Sequence, residues 1–310
     1  MQDAEKGGVL ITGGGGFAGG YLRAHLERLG ERVWSGSLTG SEVQAGTERR
    51  VKLDVKDGAA VRSVFQALKP SEVYHLAGVT RPAQGQITDF YEVNLQGTLN
   101  ILAAAAAVGA AVLVVSSAYV YGAQSGLLSE AAPLSPVNHY GASKAAAELA
   151  ALPYALAGGR VVRVRPFNHV GPGQSPDFLL PTLVQQLARI EAGESEPVLK
   201  LGNLGSVRDF TDVRDVVQAY PKLLREGERG AVYNLASGRG VSVRELIDAV
   251  LGRAQREVKL EVEPSRTRKT DIPELVGDAS RAQTTIGWTP QIPLETTLDE
   301  MLAFERAKYV

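Results

Sequence analysis

Short apolar segments alternate with amphipathic segments along the first half of the chain. Val9–Thr12 has the composition of a buried parallel strand. The segment after it repeats apolar residues at helical spacing: Ala18, Leu22, Leu26 and Leu29. Further strands are predicted at Arg32–Ser35, Val51–Leu53, Val73–Leu76, Val112–Ser116 and Val161–Val164. This alternation predicts an α/β protein with a doubly wound parallel sheet.

The pattern changes after Pro166. Segments rich in proline and glycine, at 171–174 and 202–205, separate helices and short strands there. We expect residues 1–166 to form the sheet domain and residues 167–310 mainly a smaller C-terminal lobe over the carboxyl edge of the sheet, where open α/β folds bind ligands. Val232–Leu235 is expected to return to the sheet, so a segment near 207–238 joins the first domain.

Composition limits the possible functions. The chain has 310 residues, of which 44% are hydrophobic and 22% charged, as expected for a globular enzyme with a large core. Its net charge of −1 gives no basic field for nucleic acid or anionic lipid. It has no cysteine, which excludes disulfides, thiolate metal sites and cysteine nucleophiles. The four histidines lack metal-ligand spacing, so no metal site is predicted.

Neither a targeting peptide nor a membrane span is predicted. Residues 1–8 are polar and partly acidic. The most apolar segment, Leu99–Val115, contains Asn100 and is interrupted by Gly109. It is shorter than the roughly 20 residues that span a bilayer, and we interpret it as a helix, a glycine stop and a buried strand. We therefore expect a cytoplasmic protein.

Glycines at spacing three lie between the first strand and the first helix. They are Gly13, Gly16 and Gly19. In this position backbone N–H groups and the helix dipole bind the pyrophosphate of a dinucleotide, which makes the predicted sheet Rossmann-type. A glycine-rich linker is the alternative, but the strand, the glycines and the helix follow in the required order.

Ser117, Tyr140 and Lys144 form a candidate catalytic set for carbonyl and alcohol redox chemistry. A tyrosine hydroxyl titrates near ~10, and a lysine one helical turn away is expected to lower that pKa. Ser117 closes an apolar strand, and its hydroxyl can bind the substrate oxygen. Tyr and Lys four residues apart also occur on ordinary amphipathic helices, so the pair is informative only together with the glycine motif.

Several motifs in order resemble the extended short-chain dehydrogenase/reductase family that acts on nucleotide sugars. They are Thr12-Gly13-x-x-Gly16-x-x-Gly19, Leu53-Asp54-Val55, His75-Leu76-Ala77-Gly78, Asn94-x-x-Gly97-Thr98, Ser117 before Val120-Tyr121-Gly122, Tyr140 with Lys144, and Arg165-Pro166-x-Asn168. The resemblance covers nearly the whole chain and implies these cofactor-binding residues: Gly13, Gly16, Phe17, Ala18, Gly19, Ser37, Asp54, Val55, Leu76, Ala77, Gly78, Asn94, Tyr140, Lys144 and Phe167. It also implies that Asn94 supports the active-site lysine.

A narrower resemblance is to GDP-4-dehydro-6-deoxy-D-mannose reductases and, less closely, to GDP-mannose 4,6-dehydratases. It rests on Arg165–Gln174, Val207–Asp215, Arg268 and the Gly287-Trp288-x-Pro290 segment. It implies a GDP-sugar substrate, with these substrate-binding residues: Ser117, Asn168, Lys200, Arg208 and Arg268. Asp271 would orient Arg268. Arginine suits a diphosphate because it is a planar donor of several hydrogen bonds, although surface salt bridges are an alternative role.

The residue two after Ser117 separates reduction from dehydration. Nucleotide-sugar dehydratases place a glutamate there as an additional acid/base, whereas this chain has Tyr119. We therefore expect reduction of a C4 keto group, and the narrower resemblance implies GDP-D-rhamnose as the product. The alternatives are a UDP-sugar 4-epimerase, a GDP-mannose 4,6-dehydratase and, least favoured, a non-catalytic dinucleotide sensor.

The cofactor prediction rests on the end of the second strand, where NAD enzymes place an acidic residue. Here the residues are Ser35-Gly36-Ser37-Leu38, with no carboxylate. Ser37 can donate to a 2′-phosphate, so NADP(H) is favoured and NAD(H) is the alternative, since the usual arginine is missing too. Asp54 either meets the adenine amine or caps a helix.

Two histidines and one helix complete the expectations. His75 ends an apolar strand and is expected to be buried and hydrogen-bonded, whereas His169 lies in the substrate loop, where it can touch ligand. Small apolar residues on the helix after Tyr140 suggest a homodimer by analogy with the family. Pro153 is expected to kink or end that helix early.

Overall fold

The computed structural model describes residues 7–39, 49–80, 86–201, 205–262 and 272–309. Its strands are β1 Val9–Thr12, β2 Val33–Ser37, β3 Arg50–Lys52, β4 Glu72–His75, β5 Ala111–Val115, β6 Leu127–Leu128, β7 Val161–Pro166, β8 Asn168–Val170, β9 Val198–Leu201, β10 Val207–Asp212, β11 Val232–Leu235, β12 Gly240–Ser242, β13 Lys259–Val262 and β14 Glu274–Gly277. Its α-helices are α1 Phe17–Arg28, α2 Gly58–Leu68, α3 Gly97–Val108, α4 His139–Leu156, α5 Leu179–Glu191, α6 Val213–Glu226, α7 Val243–Leu251, α8 Ser280–Ile286 and α9 Leu294–Arg306.

Seven parallel strands form the main sheet, in the order β11-β7-β5-β4-β1-β2-β3. The predicted α/β class and doubly wound sheet are therefore confirmed, and strand ends shift by only one or two residues. Val232–Leu235 forms strand β11, which pairs in parallel with β7. Strand β7 is the strand that ends at Pro166. The division into two domains at residue 166 stays a proposal, since α6 and β11 from the second half pack with the first.

Each face of the sheet is covered by helices, because its strands are apolar on both faces. Helices α1, α6 and α8 bury Leu22, Leu26, Tyr220 and Ile286 on one face. Helices α2, α3 and α4 cover the other face, where Phe65 is 1% exposed. Each such side chain contributes about 1.5–3 kcal/mol of burial free energy. The sheet is thus a rigid base whose carboxyl edge positions the site.

A smaller layer lies over that edge. Strands β12-β10-β14-β6 form a second sheet, and β8 pairs with β10 in parallel. Helices α5, α7 and α9 pack around a core that includes Phe210, Leu246 and Leu298. Strands β13 and β9 form a separate two-stranded sheet.

The apolar segment 99–115 has the structure expected of it. Helix α3 ends at Val108, Gly109 adopts the left-handed conformation with φ 72°, and β5 follows. Only glycine takes this conformation at little cost. Among the described residues, no helix combines the length and the apolar composition needed to cross a bilayer.

Pro153 does not end helix α4, contrary to one of the two expected effects, and the kink stays a prediction. Helix α4 continues past it to Leu156. The proline ring removes one N–H donor but leaves the last turn in place, where Ala157 N–H donates to Pro153 O at 3.0 Å.

Candidate active site

The glycine loop is packed too tightly for side chains. Gly13 has φ +71°, and a methyl group on it would lie 2.8 Å from Ala77 N. A methyl group on Gly19 would overlap Gly13 O, so α1 can begin directly beneath the loop only with glycine there. The N-cap residue Gly16 provides no side-chain cap to the first turn of α1. The first N–H groups of α1, including those of Phe17 and Ala18, therefore suit an anionic pyrophosphate.

The loop after β4 closes the other side of this cradle. Leu76 N–H donates to Thr12 O at 3.1 Å, and Ala77 N–H donates to Thr12 Oγ1 at 3.2 Å. A methyl group on Gly78 would lie 3.7 Å from Lys144 Nζ. The predicted cofactor residues 76–78 are thus brought between the glycine loop and Lys144.

Ser117 and Tyr140 are held by two caps. Ser117 caps a short 3-10 turn, Ala118–Val120, and its Oγ accepts from Tyr119 N–H at 3.2 Å. Asn138 caps α4, and its Oδ1 accepts from Gly141 N–H at 2.8 Å. Ser117 follows β5, and Tyr140 lies in the first turn of α4. The two caps therefore place the side chains of Ser117 and Tyr140 at the carboxyl edge of the sheet.

Burial shifts the pKa values of both Tyr140 and Lys144. Burial raises the pKa of Tyr140, and hydrogen bonding with the Ser117 side chain opposes that rise. Burial lowers the pKa of Lys144 to about 8, although Glu148 opposes that fall. Burial therefore dominates the pKa of Tyr140 in this structure, and the lowering of that pKa by Lys144 stays a prediction. At neutral pH the phenol is protonated, as a proton donor must be.

A buried chain of hydrogen bonds runs beneath these residues. Thr12 Oγ1 lies 2.7 Å from His75 Nδ1, and His75 Nε2 lies 2.9 Å from Thr98 Oγ1. Thr98 Oγ1 donates to Asn94 O at 2.6 Å, so it accepts from His75 Nε2. That fixes the Nε2–H tautomer, with Nδ1 accepting from Thr12. Burial lowers the pKa of His75 to about 3, so the predicted buried, hydrogen-bonded histidine is confirmed and neutral.

Asn94 continues the chain to the catalytic helix. Its Nδ2 donates to Ser143 Oγ at 2.9 Å and to Val79 O at 3.1 Å, and its Oδ1 accepts from Val79 N–H at 2.8 Å. Ser143 Oγ donates to Tyr140 O at 2.8 Å. Asn94 lies in a π-helical segment, Phe90–Gln96, a distortion that often occurs at functional sites.

Behind Lys144 lies a buried cluster of charges. The Glu148 side chain is fully buried and pairs with Arg165 at 2.6 Å and with Arg163 at 3.3 Å. Arg165 also donates to Tyr121 Oη at 2.8 Å. Tyr121 Oη donates to Asn234 Oδ1 at 2.6 Å, which links α4 and β7 to β11.

The other predicted cofactor residues have mixed surroundings. Ser37 ends β2 beside the glycine loop, where a methyl group on Gly15 would lie 3.5 Å from Ser37 Cβ. Asp54 Oδ1 accepts from Lys56 N–H at 2.9 Å, and Asp57 rather than Asp54 caps α2. Val55 is buried against α3.

Phe167 is a core residue in this structure. Its ring lies 6.1 Å from the Tyr121 ring, and its side chain is 2% exposed. The roles of Ser37, Asp54, Val55 and Phe167 in cofactor binding stay predictions.

The predicted substrate residues come from several elements. Asn168 on β8 pairs with Phe210, two residues along β10 from Arg208. The Arg208 guanidinium is buried and donates to Val207 O at 2.9 Å. Lys200 lies on β9 in the separate two-stranded sheet.

Three further residues belong to the predicted substrate site. Arg268 and Asp271 are outside the described residues. His169 stacks on Phe17, with ring centroids 6.2 Å apart, and therefore joins the substrate loop to the start of α1.

Sequence reasoning missed two features of the site. One is the His75 chain, since only spatial proximity unites Thr12, Thr98 and Ser143. The other is the charged cluster, for which the sequence carried a signal: Arg163 and Arg165 interrupt an otherwise apolar strand, and Glu148 lies one turn after Lys144.

Comparisons with known proteins identify the family of this chain. The family model for GDP-mannose 4,6 dehydratase matches residues 10–301. The chain is 35% identical over 303 residues to a GDP-6-deoxy-D-mannose reductase of Pseudomonas aeruginosa, covering 95% of this chain and 96% of that protein. It is 32% identical to a GDP-6-deoxy-D-talose 4-dehydrogenase of Aggregatibacter actinomycetemcomitans, covering 90% of this chain and 91% of that protein.

Solved structures have the same fold. The structure of RMD from Pseudomonas aeruginosa complexed with NADPH matches with a TM-score of 0.85 and 31% identity, covering 97% of this chain and 99% of that chain. A UDP-glucose 4-epimerase from Thermus thermophilus in complex with NAD matches with a TM-score of 0.84 and 26% identity, covering 96% of this chain and 98% of that chain.

The fold and these comparisons define a short-chain oxidoreductase that uses a nicotinamide dinucleotide and acts on a nucleotide sugar. The chain belongs to the GDP-mannose 4,6 dehydratase family within the extended short-chain dehydrogenases/reductases.

Proposed function

We propose that this protein reduces the C4 keto group of a GDP-4-dehydro-6-deoxyhexose, converting GDP-4-dehydro-6-deoxy-D-mannose to GDP-D-rhamnose. The observation that carries this proposal is the capped Ser117 and Tyr140 pair beside Lys144 and the glycine cradle. The names of two relatives, a GDP-6-deoxy-D-mannose reductase and a GDP-6-deoxy-D-talose 4-dehydrogenase, support the substrate class.

Each catalytic residue has one task in this reaction. When bound, the reduced nicotinamide supplies a hydride to the C4 carbon. Ser117 holds the carbonyl oxygen through its hydroxyl hydrogen. Tyr140, protonated because burial raises its pKa, donates a proton to the forming alkoxide. Lys144 is the buried cation that stabilises the resulting phenolate and contacts the nicotinamide ribose.

Tyr119 favours reduction over dehydration. Removing water across C5 and C6 needs a base for the C5 proton, and the phenol at position 119 does not supply the carboxylate that dehydratases use for this step. The ring of Tyr119 contacts the ring of Tyr140, so this position faces the reacting group without offering a carboxylate.

NADPH is the proposed reductant, with NADH as the alternative. Ser37 at the end of β2 can donate to a 2′-phosphate, and no carboxylate occupies positions 35–38. The NADPH complex of the Pseudomonas aeruginosa relative supports this preference.

Binding of the diphosphate and sugar is assigned to Asn168, Lys200, Arg208 and Arg268. Arg208 supports this assignment best, because a buried guanidinium can serve a phosphate with several donors. Replacing Arg208 by Lys should raise the KM for the GDP-sugar more than it lowers kcat.

The assembly proposed for this enzyme is a homodimer. Leu99 on α3 is 41% exposed and Leu149 on α4 is 50% exposed, and small alanines surround them. These two helices lie side by side on one face of the sheet and can bury this apolar area against a second copy. Analytical ultracentrifugation of the purified protein tests it, and a monomer at micromolar concentration would contradict it.

A UDP-sugar 4-epimerase is the second candidate, because such enzymes share this fold and cofactor class. An epimerase retains NAD and interconverts C4 epimers without net oxidation. Incubating the protein with UDP-glucose, and analysing any bound nucleotide after denaturation, distinguishes the two candidates.

Tyr140→Phe tests the catalytic assignment. It removes the proton donor and leaves the ring, so kcat should fall by about 10²–10⁴-fold while the Kd for NADPH stays within a few fold. Tyr154→Phe, which removes a phenol bonded to Ala110 O far from the site, is the matched control. Activity of Tyr140→Phe within a few fold of wild type would refute the assignment.

A further inference from the structure

Tyr119 contacts both partners of the catalytic pair. Its N–H donates to Ser117 Oγ at 3.2 Å. Its ring centroid lies 5.8 Å from that of Tyr140, with an interplanar angle of 68°, which is an edge-to-face contact. Such pairs contribute beyond simple area burial.

The backbone holds Tyr119 in a fixed place against α4. A methyl group on Gly141, the residue after Tyr140, would lie 2.5 Å from Tyr119 O. The 3-10 turn and the first turn of α4 are therefore in direct contact. The Tyr140 ring also meets Phe90, with centroids 6.3 Å apart. Tyr140 thus contacts two aromatic rings, one from the π-helical segment and the other that of Tyr119.

The contact with Ser117 directs its hydroxyl. The Tyr119 N–H occupies one lone pair of Ser117 Oγ and so orients this hydroxyl, which is hydrogen-bonded with Tyr140 and can exchange that bond for one to the substrate oxygen. Proton donation requires the phenol to lie within hydrogen-bond reach of that same oxygen. A displacement of either group of about 1 Å lowers the rate strongly.

We propose that Tyr119 is a positioning residue, whose ring fixes the Tyr140 phenol relative to Ser117 for proton donation to the C4 oxygen. This inference rests on the proposed function. We assign the role to the ring, because the ring contacts Tyr140 directly, whereas the charge interaction of Tyr119 only raises the pKa of Tyr140.

The test compares Tyr119→Phe with Tyr119→Ala and Tyr119→Leu, using NADPH and GDP-4-dehydro-6-deoxy-D-mannose. Tyr119→Phe keeps the ring and should retain kcat within about twofold. The other two should lower kcat about fivefold to tenfold, as expected for loss of one aromatic contact. Their Kd for NADPH and KM for the sugar should stay within about twofold, and the solvent deuterium isotope effect on kcat should increase.

A matched control comes from the rim of the site. Tyr91 lies in the π-helical segment that also contains Phe90. Its ring contacts the ring of His139, with centroids 6.0 Å apart, and not the ring of Tyr140. Tyr91→Ala should therefore leave the isotope effect unchanged. Leucine keeps most of the side-chain volume of Tyr119. Tyr119→Leu therefore still tests the loss of the ring if Tyr119→Ala does not fold.

Three results would overturn the proposal. Full activity of both Tyr119→Ala and Tyr119→Leu would show that the ring is not needed. Equal losses in Tyr119→Phe and Tyr119→Ala would assign the role to the hydroxyl. A wild-type protein that does not oxidise NADPH would contradict the proposed function, and with it this role, whereas the first two results leave the function intact.

Discussion

His75→Gln should remove a large part of the acid sensitivity of this protein. His75 is 2% exposed, and its two ring nitrogens are bonded to Thr12 and Thr98. Glutamine can accept from Thr12 and donate to Thr98 without acquiring a charge at low pH. The variant thus keeps the polar chain while removing the titrating group.

The magnitude follows from the pKa of His75. Burial lowers the pKa of His75 from 6.5 to about 3. Between these two pH values the unfolded chain binds a proton at this histidine and the folded protein does not. The stability from the neutral imidazole is fully present above pH ~6.5 and is lost as the pH falls toward 3. In that window the free energy of unfolding falls by about 1.4 kcal/mol for each pH unit. The loss between pH 7 and pH 5 is therefore about 2 kcal/mol.

The assay is urea denaturation at pH 7, 6 and 5. At pH 7 the glutamine variant should be about 1–3 kcal/mol less stable than wild type, because its hydrogen bonds fit less well. Between pH 7 and pH 5 the wild type should lose about 2 kcal/mol more of its free energy of unfolding than the variant loses. His139→Gln controls for removal of a surface imidazole and should follow the wild type.

Equal losses in wild type and His75→Gln between pH 7 and pH 5 would refute this reasoning. Nitrogen NMR adds an independent test, because the hydrogen-bond directions require the Nε2–H tautomer of His75. A protonated Nδ1 at pH 7 would contradict the assigned chain.

Two further substitutions test the packing of the cofactor cradle and of the charged cluster. Gly19→Ala forces a methyl group against Gly13 O and should weaken NADPH binding at least about tenfold, measured by fluorescence titration, whereas Gly20→Ala meets no atom within 4 Å and should bind normally. Equal affinities would contradict the tight loop. Glu148→Gln leaves two buried arginines without a charge partner and should lower the free energy of unfolding by about 3–5 kcal/mol in urea; a loss below about 1 kcal/mol would show that the cluster is not coupled.

Periodicity predicted the main sheet well because parallel strands buried on both faces are continuous apolar runs. The same logic located Val232–Leu235 in the sheet, although it lies far along the chain. It placed the stop at Gly109 because a left-handed residue there has a clear sequence signature. Local rules failed at Pro153, where the helix tolerates a proline close to its end.

The chemistry of the site was less accessible from sequence. Residue types and order identified Ser117, Tyr140 and Lys144, but the pKa of Tyr140 depends on burial, which only the folded protein defines. The position of Phe167 in the core likewise follows from its contact with Tyr121, which is distant in sequence. Sequence therefore predicts which groups react, and that prediction remains to be tested, whereas packing determines their protonation and orientation.

The most direct test of the central claim is oxidation of NADPH, and separately of NADH, by the purified protein supplied with GDP-4-dehydro-6-deoxy-D-mannose. A separate dehydratase makes this substrate from GDP-mannose in the same vessel. We predict rapid oxidation, faster with NADPH, and formation of GDP-D-rhamnose, with the C4 configuration established by NMR. Absence of oxidation with either cofactor, together with turnover of a UDP-sugar and tightly bound NAD, would contradict the account and favour the epimerase.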